Sequence, residues 1–309
     1  MITTITLNPA IDQTMTLEKF VLGEVHRITE IQDQIGGKGI NVSKVLQALN
    51  IETKATGMIG EDNRDVVCDL MTQAGICSDF LSIKGKTRTN LKIVDTSTLL
   101  TTQLNAPGMS VKSSDLRALN VRLKEMAMRS DYVVMSGSLP PGLASDTYRK
   151  IIQEHAQWSA FVLDCAGDAL VEGIKAHPFL IKPNLCELNA AFKQNLSTHA
   201  EIIAFCKVLL KTYDIGFILV SLGSNGSLLI SDSLTYHASS LKVKVYSTVG
   251  AGDGLLAGFL AGLARSLPLE DCLRMASVCG ALMCARKNDD MFTHADVMAN
   301  IEEIEINIL

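Results

Sequence analysis

Short apolar runs alternate along the chain with longer stretches whose apolar residues recur every three or four positions. The short runs, at residues 2–7, 53–59, 132–135, 161–164, 179–182 and 216–221, have the length and β-branched content of buried strands. Several of them end in polar residues. Residues 38–49 predict a helix with an apolar stripe at Ile40, Val42, Val45, Leu46 and Leu49. Further helices are predicted at 62–74, where Asp62 caps the start and Gly75 marks the stop, and at 113–129, 146–157, 185–192, 200–212 and 255–264. Strands alternating with helices predict an α/β fold whose mainly parallel sheet is covered on both faces. Right-handed crossovers follow from chain chirality.

Two stretches depart from this rhythm. Residues 13–35 carry no helical period but alternate through Val25, Arg27, Thr29 and Ile31, and residues 89–105 alternate through Leu91 and Ile93. Both read as extra strands outside the main sheet that form a small β-lid over its edge. No Pro/Gly/Ser linker sets them apart, so residues 1–309 read as a single domain with the lid inserted at about 13–35 and 89–105.

Composition narrows the function classes. With 309 residues, 47% hydrophobic and 20% charged, the chain can bury a sizeable core. A net charge of −5 argues against nucleic acid as a partner, because phosphate backbones select basic surfaces. The most apolar stretch, 255–264, is bounded by Asp253 and Arg265 and is too short to span a membrane. The first residues alternate like a strand and contain no secretory leader, and the eight scattered cysteines read as reduced thiols, so a cytoplasmic protein is expected. The six histidines form no zinc-binding pattern.

In a parallel α/β sheet, ligands bind beyond the carboxyl ends of the strands. Four polar clusters fall there. Gly250-Ala251-Gly252-Asp253 runs into the apolar 255–264 helix. A glycine-rich turn at a helix start directs N–H groups and the positive end of the dipole at one spot, which is an anion site. A carboxylate beside a bound phosphate is repelled, and accepting a proton from an attacking hydroxyl gives Asp253 a reason to be there; a plain helix cap is the alternative. Gly36-Gly37-Lys38-Gly39-Ile40-Asn41 opens another helix, as a ligand loop or a flexible turn. Arg88 and Asn90, followed by Lys92, lie on the lid and could grip a phosphate or face solvent. Lys182-Pro183-Asn184-Leu185-Cys186-Glu187 follows a strand. Asn184 and Glu187 could orient water around Mg²⁺ or form a capping box, and spacing leaves both open. Ser221-Leu222-Gly223-Ser224-Asn225-Gly226 offers backbone donors after the next strand.

Taken in order, these clusters resemble the PfkB (ribokinase-like) carbohydrate kinases. The match runs from Asn8-Pro9-Ala10-Ile11-Asp12 through Gly36–Asn41, Thr87-Arg88-Thr89-Asn90, Gly137-Ser138-Leu139-Pro140-Pro141-Gly142, Lys182-Pro183-Asn184 with Glu187, and Ser221-Leu222-Gly223 to Gly250–Asp253. Its phosphosugar branch is the most similar. The resemblance implies a three-layer sandwich with a β-sheet lid, and an ATP-dependent phosphotransferase acting on the alcohol group of a ketohexose phosphate. Fructose 1-phosphate, converted to fructose 1,6-bisphosphate, is the expected substrate; tagatose 6-phosphate and fructose 6-phosphate are alternatives. A non-catalytic sugar-phosphate sensor is the rival of another class.

The resemblance also implies residue roles. Asp253 would be the base, with Gly250, Ala251 and Gly252 as the anion hole. Asp12, Gly36, Gly37, Lys38, Asn41, Arg88, Asn90, Ser136 and Ser138 would bind the phosphosugar. Lys182, Asn184, Glu187, Ser221, Gly223 and Gly226 would face ATP, with Mg²⁺ held through water by Asn184 and Glu187. A monovalent cation near the adenine and a homodimer formed through the lid are further implications. Three departures stand out: Gly254 where relatives carry Ser or Ala, Gln103 where they carry Glu, and the stretch Arg286–Asp290 where a glycine often lies near the adenine.

Overall fold

The computed structural model describes residues 1–98, 100–286 and 290–309. Among these the strands are β1 (Ile2–Thr6), β2 (Ala10–Leu17), β3 (Glu30–Gly36), β4 (Thr53–Gly60), β5 (Ser78–Ile83), β6 (Arg88–Asp95), β7 (Leu100–Leu104), β8 (Tyr132–Ser136), β9 (Ala160–Asp164), β10 (Leu180–Ile181), β11 (Phe217–Ser221), β12 (Ser227–Ile230), β13 (Thr235–Ala238) and β14 (Ile306–Ile308). The helices are α1 (Lys38–Ala48), α2 (Arg64–Gln73), α3 (Ser113–Ala127), α4 (Thr147–His155), α5 (Gly167–Gly173), α6 (Leu185–Phe192), α7 (His199–Tyr213), α8 (Ala251–Ala264), α9 (Leu269–Ala285) and α10 (His294–Asn300).

Ten strands form the main sheet in the order β14-β13-β12-β11-β10-β9-β8-β1-β4-β5. From β5 to β11 neighbouring strands are parallel, and β12, β13 and β14 continue antiparallel. The strand period of two divides the core. Val133, Met135, Phe161 and Leu163 pack with α3 to α7 on one face, while Val134 and Val162 pack with α1, α8, α9 and α10 on the other. Each fully buried Leu, Ile or Phe contributes roughly 1.5–3 kcal/mol, so both faces hold the sheet.

A second sheet, ordered β3-β2-β6-β7, stands apart as the lid. Its strands begin earlier than the sequence predicts, at Ala10 and Arg88. The segment between β2 and β3 is not strand: Val25 and Arg27, predicted to alternate, lie in it, and Val25 is 97% exposed. A small core of Ile11, Ile35, Ile40, Ala55, Ile59, Val67, Met71 and Ile76 joins the base of the lid to α1 and α2. Helix α2 starts two residues later than predicted, because residues 61–63 form a 3₁₀ turn first. Among the described residues no helix is long and apolar enough to cross a membrane.

Candidate active site

The carboxyl ends of β1, β8, β9, β10 and β11 open into one cavity of about 1280 Å³ that also reaches under the lid. Three helix N-termini meet its wall: α1 at Gly37 and Lys38, α6 at Asn184 and Glu187, and α8 at Gly250 to Asp253. Each brings unsatisfied N–H groups and the positive end of a dipole to the same space.

The start of α8 follows from its glycines. Gly250 takes the left-handed conformation (φ 82°), and a Cβ there would lie 2.6 Å from Met283 Cε. No side chain caps this helix. The Ala251 N–H donates to the Thr248 carbonyl at 3.3 Å, so the outward donors of the first turn are those of Gly252 and Asp253. The turn expected to offer Ala251 instead uses it to close itself. Gly252 allows close approach: a Cβ there would sit 3.0 Å from Lys182 Nζ.

Asp253 is 6% exposed, and its Oδ2 accepts a hydrogen bond from Asn41 Nδ2 at 2.8 Å. Burial, reinforced by the nearby Asp164 charge, pushes its pKa up to about 6, against the pull of Lys38, the Asn41 hydrogen bond and Lys182. Asp164 closes β9 and is fully buried. Its Oδ1 accepts from Lys38 Nζ at 3.0 Å and pairs with Lys182 Nζ at 3.3 Å. Burial works against the Asp164 charge, but the two ammonium groups outweigh it and hold the pKa below the usual carboxylate value. Burial also opposes the Lys38 charge, yet Asp164, Glu187 and Asp253 together raise its pKa above the ordinary lysine value. Lys38 is therefore charged beside the mouth of α8, and Lys182 pairs with the same Asp164 oxygen.

Asn184 and Glu187 form a reciprocal capping box: Glu187 N–H donates to Asn184 Oδ1 at 2.8 Å, and Asn184 N–H donates to Glu187 Oε2 at 2.9 Å. Glu187 Oε1 accepts from Lys38 Nζ at 3.3 Å. The cap therefore takes Asn184 Oδ1 and one Glu187 oxygen, and the other Glu187 oxygen faces the lysine. Ser221 and Gly223 line the same side, and Ser221 is bridged to Asn184 across the strand ends. Gly226 also reaches the cavity, though its left-handed turn is dictated by packing, since a Cβ would lie 1.9 Å from the Ala238 carbonyl oxygen.

At the lid end, Asp12 accepts from Asn90 Nδ2 at 2.9 Å and from Lys92 Nζ at 3.2 Å. Gly36 does not line the cavity; its place in the site is to let Asp12 lie against the backbone, where a Cβ would meet Asp12 Oδ2 at 2.5 Å. Arg88 lines the cavity, but its guanidinium donates to the carbonyls of Ala106 at 2.7 Å, Asn8 at 2.8 Å and Pro9 at 3.4 Å. Ser138 is at the cavity and accepts from Asn8 Nδ2. Ser136 does not line it: it ends β8 fully buried, in register with Thr6 and Asp164, and its Oγ has no hydrogen-bond partner among the described residues.

Sequence reasoning missed Asp164, the buried anion that fixes both lysines. The polar end of the 161–164 run was its visible signal. It also left Lys92 without a role and did not find Gln103, Asn105 or Lys242 on the cavity wall. On the far wall stand Leu241, Val243, Val245, Val249, Gly280, Ala281 and Cys284. Within the stretch Arg286–Asp290, Arg286 Nε donates to the Asp290 carbonyl at 3.2 Å, and residues 287–289 lie outside the described residues.

Residues 5–294 match the pfkB family carbohydrate kinase description. The chain belongs to that family. It is 32% identical over 310 residues to 1-phosphofructokinase of Bacillus subtilis, with 100% of both chains covered. It is 36% identical over 282 residues to 1-phosphofructokinase of Vibrio cholerae, covering 91% of this chain and 88% of that one. The potassium complex of phosphofructokinase-2 from Escherichia coli shares the fold with a TM-score of 0.90 at 24% identity, covering 98% of each chain. This kinase is thus an ATP-dependent sugar-phosphate kinase with the ribokinase-like architecture, its large, mostly parallel sheet flanked by helices and accompanied by a small second sheet.

Proposed function

We propose that this kinase transfers the γ-phosphoryl group of ATP to the free primary hydroxyl of D-fructose 1-phosphate, giving fructose 1,6-bisphosphate, with Asp253 as general base. The observation that carries the proposal is a buried carboxylate with a pKa of about 6, held by Asn41 at the uncapped start of α8, on a cavity also lined by Lys38 and Lys182. The substrate is inferred from the relatives named 1-phosphofructokinase. A sensor would have no use for a base in that position.

The residues divide the work as follows. Asp12, Asn90, Asn41 and Gly37 orient the sugar hydroxyls under the lid. Asp253 accepts the proton of the attacking hydroxyl. The N–H groups of Gly252 and Asp253 face the phosphoryl oxygens, and Lys38 and Lys182 neutralise the charge that spreads over them. Ser221, Gly223 and the 241–249 wall accommodate the nucleotide.

The donor set suits Mg²⁺. Glu187 offers one carboxylate, and among the described residues no three His, Cys, Asp or Glu side chains cluster into a metal cage. Mg²⁺ ordinarily takes one or two carboxylates, keeps several waters and completes its shell with substrate phosphates. Glu187, with Asn184 through water, would hold it. When bound, it neutralises phosphate charge and polarises the group being transferred.

The four-stranded lid belongs to the same domain, and its exposed apolar residues Ile31, Leu100 and Leu104 would pack against a second copy of the chain in a dimer. A coupled ADP assay with Mg-ATP and a panel of fructose 1-phosphate, fructose 6-phosphate, tagatose 6-phosphate and fructose tests the proposal. Fructose 1-phosphate gives the highest kcat/KM. Turnover on tagatose 6-phosphate or fructose 6-phosphate alone would overturn the substrate assignment, and no turnover with any of them would overturn the activity.

A further inference from the structure

The last side chains of β1, β8 and β9 form a polar row beneath α1. Thr6 is in register with Ser136, and Ser136 with Asp164. Two residues earlier, Thr4, Val134 and Val162 occupy the same face of these strands. There Thr4 Oγ1 meets Ser43 Oγ of α1 at 2.8 Å, and the two valines belong to the core under α1 and α8. The row is covered: Thr6 is 2% exposed, and Ser136 and Asp164 are fully buried. Gly39, in the first turn of α1, leaves room above it, since a Cβ there would lie 2.5 Å from Thr6 Oγ1.

Each member of the row has an oxygen without a hydrogen-bond partner among the described residues: Thr6 Oγ1, Ser136 Oγ and Asp164 Oδ2. The carboxylate is lopsided. Lys38 and Lys182 both bind Oδ1, and Oδ2 of the same buried group receives no donor from the described residues. Buried polar atoms in folded proteins are paired, and an ionised oxygen needs a donor most. Neighbouring strands lie about 4.8 Å apart, so side chains in register are too distant for a direct hydrogen bond and leave space for one small molecule between two oxygens.

Charge selects the occupant. Two ammonium groups already balance Asp164, so a metal cation is repelled; the carboxylate repels an anion; an apolar group would leave three polar atoms bare. Water both donates and accepts, and buried water ordinarily joins two to four protein groups. We propose that ordered internal water fills the two gaps of the row, linking Thr6 to Ser136 and Ser136 to Asp164 Oδ2, and that Ser136 is thereby a positioning residue for the cluster of Asp164, Lys38 and Lys182. The water beside Asp164 gives Oδ2 its donor and accepts the Ser136 hydroxyl proton in a hydrogen bond. With both oxygens engaged the carboxylate is held against rotation, and the two lysines keep their place on the cavity wall. Thr6 lines the cavity, so the row meets bulk solvent at that end. The water site stands apart from the reaction; its effect on turnover rests on the proposed kinase activity.

Two measurements test it. High-resolution crystal structures of the wild type, grown in sodium and in rubidium salts, show a density peak in each gap at hydrogen-bond distance from the flanking oxygens, without a rubidium anomalous signal. Empty gaps, or an anomalous peak marking a cation, would overturn the proposal. The coupled ADP assay with Mg-ATP and fructose 1-phosphate then compares wild type, Ser136→Ala and Ser136→Thr. In Ser136→Ala kcat falls roughly 10-fold, as for a lost hydrogen bond to a charged group, while both KM values change little. Ser136→Thr keeps the hydroxyl and recovers most of the rate. A purely structural role would lower Tm without separating kcat from KM. An unchanged kcat in Ser136→Ala, or a folded Ser136→Thr no faster than Ser136→Ala, would refute the positioning role. If the wild type uses no ketohexose phosphate, the proposed function fails, and the density in the gaps still decides the water site.

Discussion

Two buried carboxylates serve the site, Asp253 on the cavity wall and Asp164 paired with the lining residues Lys38 and Lys182, and their surroundings give them opposite character. Asp164 meets two ammonium groups, at 3.0 and 3.3 Å, and stays ionised as their counter-ion. Asp253 has one neutral hydrogen bond, from Asn41, and burial beside a second negative charge raises its pKa to about 6. Neighbouring titratable groups pushed apart in this way mark the division between structural charge and proton acceptor. A base must be deprotonated to act, so kcat/KM for fructose 1-phosphate falls as the pH drops through about 6 and levels off above it. A pH–rate profile from pH 5 to 8.5 under saturating Mg-ATP checks this. A profile flat down to pH 5 would show that no group with the character of Asp253 controls the reaction.

At the scale of elements, the decisive contact is between α8 and α9. Gly254, Gly258 and Gly262 recur every four residues along α8 and face α9. A Cβ at these positions would lie 2.6 Å from Met283 Cγ, 2.6 Å from the Met275 carbonyl oxygen and 2.7 Å from Cys272 Cα. The small residues let two helices approach closely, and the apolar burial all round α8 anchors the end that carries Asp253. Gly254, where the family resemblance implied Ser or Ala, is explained by this contact: a side chain there meets Met283 and the Cys279 carbonyl at once. Gly254→Ser therefore lowers stability by roughly 1–3 kcal/mol, the usual cost of overpacking a filled core. Thermal unfolding reads this as a lower Tm, and a Tm equal to wild type would mean that α9 yields at no cost. The start of α8 was legible in the sequence because Gly-Ala-Gly-Asp precedes an uninterrupted apolar run. The glycine stripe was not, since its meaning depends on α9, which is distant from no residue of the stripe in space but carries no local mark of that pairing.

At the scale of the molecule, the strand–helix alternation revealed the parallel sheet, and polar strand ends revealed where the cavity opens. The antiparallel edge of β12, β13 and β14 was illegible, because short edge strands carry weak periodicity and their pairing is decided by tertiary contacts. The site was readable wherever a cluster was continuous in sequence, as at Gly36–Asn41 and Gly250–Asp253. Asp164 escaped because its significance lies in Lys38 and Lys182, which come from other strands and helices. The burial of Ser136 was illegible for a related reason: a strand end looks alike in sequence whether its last side chain reaches the cavity or is covered by its neighbours.

All these scales converge on one carboxylate, and Asp253→Asn tests it most directly. Asparagine keeps an oxygen for Asn41 to donate to and removes a charge. Because the folded pKa of Asp253 lies above its ordinary value, its contribution to stability is present below the ordinary carboxylate range and is lost as the pH rises through about 6. At pH 8 the wild type carries the buried charge at a cost, so the variant's Tm stays level or rises. Measured in the coupled ADP assay at pH 8, with that Tm as the control for folding, Asp253→Asn loses roughly 10²- to 10⁴-fold in kcat on fructose 1-phosphate. A folded variant turning over near the wild-type rate would contradict the account.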